Sequence, residues 1–75
     1  KLRRTFVDTS GKFKVDAVAV EISGDSISMF RMTNNKKLVI PLSKLCSDDK
    51  VWIKENAVKI KLYGPRIAEW LEKKQ

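Results

Sequence analysis

The sequence predicts a mainly β fold, a small antiparallel barrel of about four to five strands with one or two short helices. Three features carry that prediction. Residues 13–22 are the longest run rich in β-branched and aromatic residues, the composition that suits a pleated, packed surface. Turn-forming sets punctuate the apolar runs at Thr9-Ser10-Gly11, Ser23-Gly24-Asp25 and Thr33-Asn34-Asn35-Lys36. Strands joined by connections this short lie side by side and antiparallel.

Taken in order, residues 1–4 are a basic, frayed lead-in and residues 5–8 the end of a short strand. Gly11 is free to take the positive φ that the following turn demands. In residues 13–22, Phe13, Val15, Ala17 and Ala19 fall on one side, and Val18, Val20 and Ile22 on the other. Lys14 and Asp16 mark the first half as half-exposed. The second half is apolar on both sides, which marks a central strand covered on both faces. Phe13 is expected in the core. Residues 26–32 form the next strand, with Ile27, Met29 and Arg31 facing one way and Ser28, Phe30 and Met32 the other. Residues 37–40 form a short strand stopped by Pro41, which has no N–H for a ladder.

Residues 42–45 are too few for another strand and read as one helical turn. A helix then starts at Cys46 or Ser47. Asp48 and Asp49 in its first turn are favoured by the positive end of the helix dipole, and the helix should fray by Asn56. Val58, Ile60 and Leu62 alternate with Lys59 and Lys61, a strand pattern that Gly64-Pro65 ends. Residues 66–74 read as a short amphipathic helix with Ile67, Trp70 and Leu71 on one face. The chain is thus a single domain over residues 1–75, with its barrel core in 4–55 and a C-terminal extension of strand or helix in 56–75.

The bulk numbers narrow the function. Seventy-five residues make one domain with a modest core, in which a pocket-enclosing enzyme would be unusual. With 43% hydrophobic and 33% charged residues, the chain is folded and not a disordered tail. Lys and Arg outnumber Asp and Glu by 16 to 9, a formal +7, which favours nucleic acid, acidic peptides or anionic headgroups as partners. Cys46 is the single cysteine and histidine is absent. Internal disulfides, the usual structural zinc sites and His-dependent triads are thereby excluded, and a reducing compartment fits. No apolar run approaches the roughly 18 residues of a membrane span, and no signal peptide is visible. A start at Lys1 without Met suggests a domain of a longer protein. With no nucleophile–base pair, phosphate-cradling Gly-rich loop or metal set, the expectation is a binding domain without cofactor, not an enzyme.

Two segments go further. R-T-F-V-D-T-S-G-K-F-K-V-D-A (4–17) and P-L-S-K-L-C-S-D-D-K-V-W-I (41–53) resemble the opening and closing signatures of the first Sla-type homology domain (SHD) of fungal endocytic clathrin adaptors. That family's opening reads R-x-W-x-D-x-x-G-x-F-x-V-x-A, and its close P-L-x-K-L-S-x-x-D-x-x-Y-V. Arg4, Asp8, Gly11, Phe13, Val15 and Ala17 match the first. Pro41, Leu42, Lys44, Leu45 and Asp49 match the second, with Trp52 aromatic for aromatic. Phe6 stands where the family has Trp and Cys46 where it has Ser, and the stretch between the blocks is poorly matched and one residue longer. The resemblance covers residues 4–55. It implies an SH3-like barrel that binds Asn-Pro-Phe-x-Asp sorting motifs in the cytosolic tails of membrane cargo. Its place would be the cytoplasm, at clathrin-linked endocytic actin patches near the plasma membrane, among other endocytic adaptor components.

An Asn-Pro-Phe turn presents one ring and the trailing Asp a charge, so a receptor needs an apolar notch with a cation at its rim. Arg31 and Lys37 flank the 33–36 loop and are the candidate cations, with Lys36 a third. In the family, basic residues at roughly these places serve the ligand's acidic end. Each could equally be an ordinary solvated side chain. Phe30 and Met32, together with Met29, are candidates for the notch, because Met adapts to an aromatic guest, yet one face of their strand must make core. Asp8 reads as a turn residue, Asp48 and Asp49 as capping residues, Cys46 as a half-buried small residue, and Trp52 as the plug of the barrel end. Trp70 is expected to dock the terminal helix; exposed beside Arg66 and Lys73, it would instead mark a membrane or partner surface. Two other functions compete with peptide recognition: nucleic-acid binding by a small basic barrel, and a structural or self-association role.

Overall fold

The computed structural model describes residues 2–73; the expectations at Lys1 and Lys74 lie outside the described residues. Strands β1 (Arg3–Val7), β2 (Lys14–Ser23), β3 (Ser26–Arg31) and β4 (Lys37–Pro41) form one antiparallel sheet in the order β1-β2-β3-β4. The mainly β class holds, as a four-stranded meander joined by the turns that the sequence marks. A 3₁₀ turn, Leu42–Lys44, leads to helices α1 (Ser47–Glu55) and α2 (Ala57–Lys73). Strands β1 and β4 do not pair with each other, so the sheet is open. The chain after the 3₁₀ turn runs against the end of β1 instead. Thr9 N–H donates to the Lys44 carbonyl (3.0 Å), Cys46 N–H donates to the Val7 carbonyl (2.9 Å), and Asp8 and Leu45 form an isolated bridge.

Both faces of β2 are covered. On one face Phe6, Val15, Ala17, Ala19 and Met29 pack together under Leu45, Ile53 of α1 and Ile60 of α2. On the other, Val20 and Phe30 pack under Leu71 of α2. The alternation in β3 follows the sequence, with Ile27 and Met29 in the first cluster and Phe30 in the second. Along β2 it breaks at a bulge between Ala19 and Glu21, where one extra residue resets which side faces inward. Beyond it Ile22 pairs with Ile27 and joins the first cluster. Strict alternation would have left Ile22 with Val18 and Val20.

The expected strand at residues 58–62 is instead the first part of α2, which continues through Gly64 and Pro65. The buried residues Ile60, Gly64 and Leu71 recur at helical spacing, and tertiary contact with the sheet overrides the local alternation. Gly64 is not a breaker here. A Cβ at this position would lie 1.9 Å from the Val20 carbonyl oxygen, so only glycine lets the helix backbone rest on β2. Pro65 withholds one N–H from the Lys61 carbonyl without ending the helix.

Two aromatic expectations are also overturned. Phe13 is 45% exposed, because it precedes β2 and leaves the turn before the strand's alternation begins. The buried rings are Phe6 and Phe30. Trp70 is 57% exposed, while Leu71 and the half-buried Ile67 carry the docking of α2.

Candidate functional site

At the end of β1, polar groups hold the turn that follows. The Asp8 carboxylate accepts from the Ser10 hydroxyl (2.9 and 3.0 Å) and from the Phe13 N–H (3.2 Å), and Ser10 Oγ accepts from the Lys12 N–H (3.1 Å). The Ser10 hydroxyl holds the Asp8 carboxyl below its ordinary value, against the opposing effect of burial and helped by neighbouring backbone amides. Gly11 completes the turn at φ +78°. Asp8 is therefore a turn residue, as its position before Thr9-Ser10-Gly11 suggests. The consequence is that the Phe13 ring is delivered to the surface at a fixed place.

Beside this turn, Asp49 is buried and does more than favour a helix terminus. It accepts from Arg4 Nε (2.8 Å) and from the Val7 N–H (2.6 Å), on the edge of β1 away from β2. The Arg4 guanidinium lies 5.5 Å from the centre of the Trp52 ring, and Trp52 meets Phe6 edge to face at 5.6 Å. Trp52 thus closes this end of the core. The N-cap of α1 is Cys46, with no side-chain capping bond. The carboxylate–guanidinium–indole stack joins β1 to α1; the surface on the other side of the turn is accessible.

That surface is a groove of about 370 Å³ between the turn and β4. Phe6, Val15 and Leu45 form its floor, Phe13 one lip, and residues 38–41 of β4 the other, with Asp8 and Lys44 beside it. Leu38 and Ile40 share the face of the floor, whereas the side chain of Val39, 62% exposed, leaves on the other face and Val39 borders the groove along the strand. Strand β4 pairs only with β3, so its outer edge supplies unpaired backbone donors and acceptors along the groove. An aromatic or aliphatic guest would find an apolar bed here, with main-chain groups to fix its orientation.

The residues picked from the sequence lie elsewhere. Phe30 is 1% exposed, between Val20 and Leu71, and is packing rather than a notch. Met29 is fully buried in the other cluster, and Met32 is half-buried at the hairpin's base, where its N–H donates to the Asp16 carbonyl. Arg31 is half-buried, and Lys36 and Lys37 are exposed. Arg31 pairs with Ala17 and Lys37 with Phe30. Paired residues share a face, so Arg31 leaves on the Ala17 side of the sheet and Lys37 on the other. The loop between them is tight: Arg31 N–H donates to the Lys36 carbonyl (2.9 Å), and Asn35 takes φ +56°. None of the six lines the groove, although Lys37 directly precedes Leu38, which does. The residues that sequence reasoning missed are Phe13 as a surface ring, Val39 and Lys44. The visible signal was the position of Lys44 just after Pro41, at the end of an edge strand.

The arrangement defines a small β domain with an accessible groove and a basic surface. Residues 1–62 match SLA1 homology domain 1, and the chain belongs to that family. It is a family of binding modules of the endocytic adaptor type, with protein or peptide partners. No curated protein and no solved structure matches the chain. Among the described residues, no helix is long and apolar enough to cross a membrane.

Proposed function

We propose that this chain recognises Asn-Pro-Phe-x-Asp motifs in the cytosolic tails of membrane cargo, at clathrin- and actin-linked endocytic sites. The observation that supports it most is the apolar groove between Phe13 and β4 in a domain of this family. Its volume accommodates one phenyl ring with the adjoining proline, and the free edge of β4 offers backbone partners to the turn. The acidic end of the motif would reach a cation at one end of β4, either Lys44 or the hairpin set Lys37, Lys36 and Arg31. Few atoms are buried by so short a ligand, so affinity should be roughly micromolar. Nucleic-acid binding loses support, because Phe30 is buried and the sheet face then lacks the ring that base stacking requires.

Titration of an Asn-Pro-Phe-Ser-Asp peptide against the isotopically labelled domain tests the reading. Shifts should centre on Phe13, Val39 and Leu45, and Phe13→Ala should weaken binding about tenfold while the fold survives, as expected for a lost aromatic contact. Arg31→Glu, Lys37→Glu and Lys44→Glu then locate the acidic end; the reversal that matters should cost more than about 1 kcal/mol. An unshifted spectrum at millimolar peptide would remove the proposal.

A further inference from the structure

The outer arc of α2 is unused by the peptide reading. At about 100° per residue, Lys59, Arg66 and Lys73 follow one another at seven-residue spacing and form a row along the helix. All three are exposed. On one side of the row stand Tyr63 and Trp70, 54% and 57% exposed; on the other stand Val58 and Leu62, 70% and 61% exposed. The row lies opposite Ile60, Gly64 and Leu71, which face the sheet. On this arc Glu69 is the single acid against the three cations. The family match ends at residue 62, so Tyr63, Arg66, Trp70 and Lys73 lie outside the matched residues.

We propose that this arc docks the domain on an anionic phospholipid surface. Charge placement favours a bilayer over a protein partner. Protein interfaces deplete lysine at their centre, whereas two of the three cations along the middle of this patch are lysines. At a headgroup layer that order is favourable. Lys and Arg lay their aliphatic stems on the apolar surface and extend their charges to phosphate or carboxylate. Trp and Tyr suit the wet–apolar boundary, and Val58 and Leu62 reach the edge of the acyl region. The net charge of +7 adds attraction at longer range. Contact is shallow and reversible, because the opposite face of α2 stays committed to β2.

The test is co-sedimentation of the 75-residue chain with vesicles of phosphatidylcholine, with or without about 30 mol % phosphatidylserine. Binding should require the anionic lipid. Joint reversal of Lys59, Arg66 and Lys73 to Glu should weaken it at least about tenfold, whereas reversal of the exposed Lys12, Lys14 and Lys50 should cost less than about threefold. Trp70→Ser with Leu62→Ser should weaken vesicle binding while leaving heparin binding unchanged, and brominated lipid should quench wild-type fluorescence more than that of Trp70→Phe. Circular dichroism and an unchanged Asn-Pro-Phe-Ser-Asp titration certify each variant's fold, and wild-type chain that binds vesicles but not the peptide shows that the peptide reading alone has failed. Absent binding, equal binding to neutral vesicles, or equal losses from both charge reversals would overturn the proposal. Vesicle binding indifferent to Trp70→Ser and Leu62→Ser would also overturn it, in favour of a site for soluble polyanions.

Discussion

Where β1 meets α1 the chain is joined by polar groups: a buried carboxylate, a guanidinium and a strand-edge amide, with an indole laid over them. Where α2 meets β2 it is joined by proximity, a glycine resting on a strand carbonyl between two apolar contacts. The first junction depends on side-chain identity at several positions, the second on the absence of a side chain at one. Both of the family's signature blocks converge on the first junction, since Arg4 and Asp49 come from different blocks and meet in one ion pair. In this chain the two blocks are thereby tied together, β1 to α1.

The largest expected effect breaks the polar junction. Asp49→Ala strips a partner from Arg4 and from the Val7 amide at once, and removing one member of a largely buried pair costs about 3–5 kcal/mol. In a domain of this size that loss should leave much of the chain unfolded in thermal or urea denaturation. A variant that melts like wild type would show the ion pair to be ornamental.

A smaller effect sharpens the contrast at the other junction. Gly64→Ala forces α2 away from Val20, and overpacking of this kind costs about 1–3 kcal/mol. Because the strain is local, amide exchange should accelerate along α2 and in β2 around Val20, with β1 and α1 little changed. Uniform acceleration through the whole domain would mean that the two junctions are not separable.

The smallest effect is in acid. The Ser10 hydroxyl lowers the folded-state value for Asp8 below its ordinary 3.8, so its contribution is present above that value and lost as pH falls through the depressed one. The exposed Arg3–Asp16 pair, whose carboxyl is lowered chiefly by its bond from Arg3, titrates in the same window with the same sign. Both groups are solvent-exposed, so the change in overall stability is slight. The local change is measurable: the Phe13 amide should lose protection as pH falls below 3.8.

Most of the sheet was legible because its signals are local. The run at 13–22 rich in β-branched and aromatic residues, which starts one residue before β2 and ends one residue short of it, the turn residues around Gly11 and Gly24, and Pro41 at the end of β4 each act within a few positions of where they stand. What escaped depends on distant partners. Residues 58–62 alternate like a strand, and the contacts of Ile60, Gly64 and Leu71 with a distant sheet belong to a helix instead. Ile22 changes sides because of a bulge that no residue type announces. Phe13 continues the parity of Val15 but stands before the strand, where parity has no force. The groove was not legible: the apolar notch was expected at Phe30 and Met32, and the groove lies between Phe13 and β4. The register Phe30 to Lys37 decides that Arg31 and Lys37 point to opposite faces, and a hairpin's register is set by its turn geometry.

Gly64 has one more consequence. With no side chain between helix and strand, α2 has no cushion on which to roll, and a tilt of the helix must carry β2 with it. The same strand supplies Val15 to the floor of the groove. Whatever grips the outside of α2 therefore aims the groove, like a bracket bolted directly to the plate it holds.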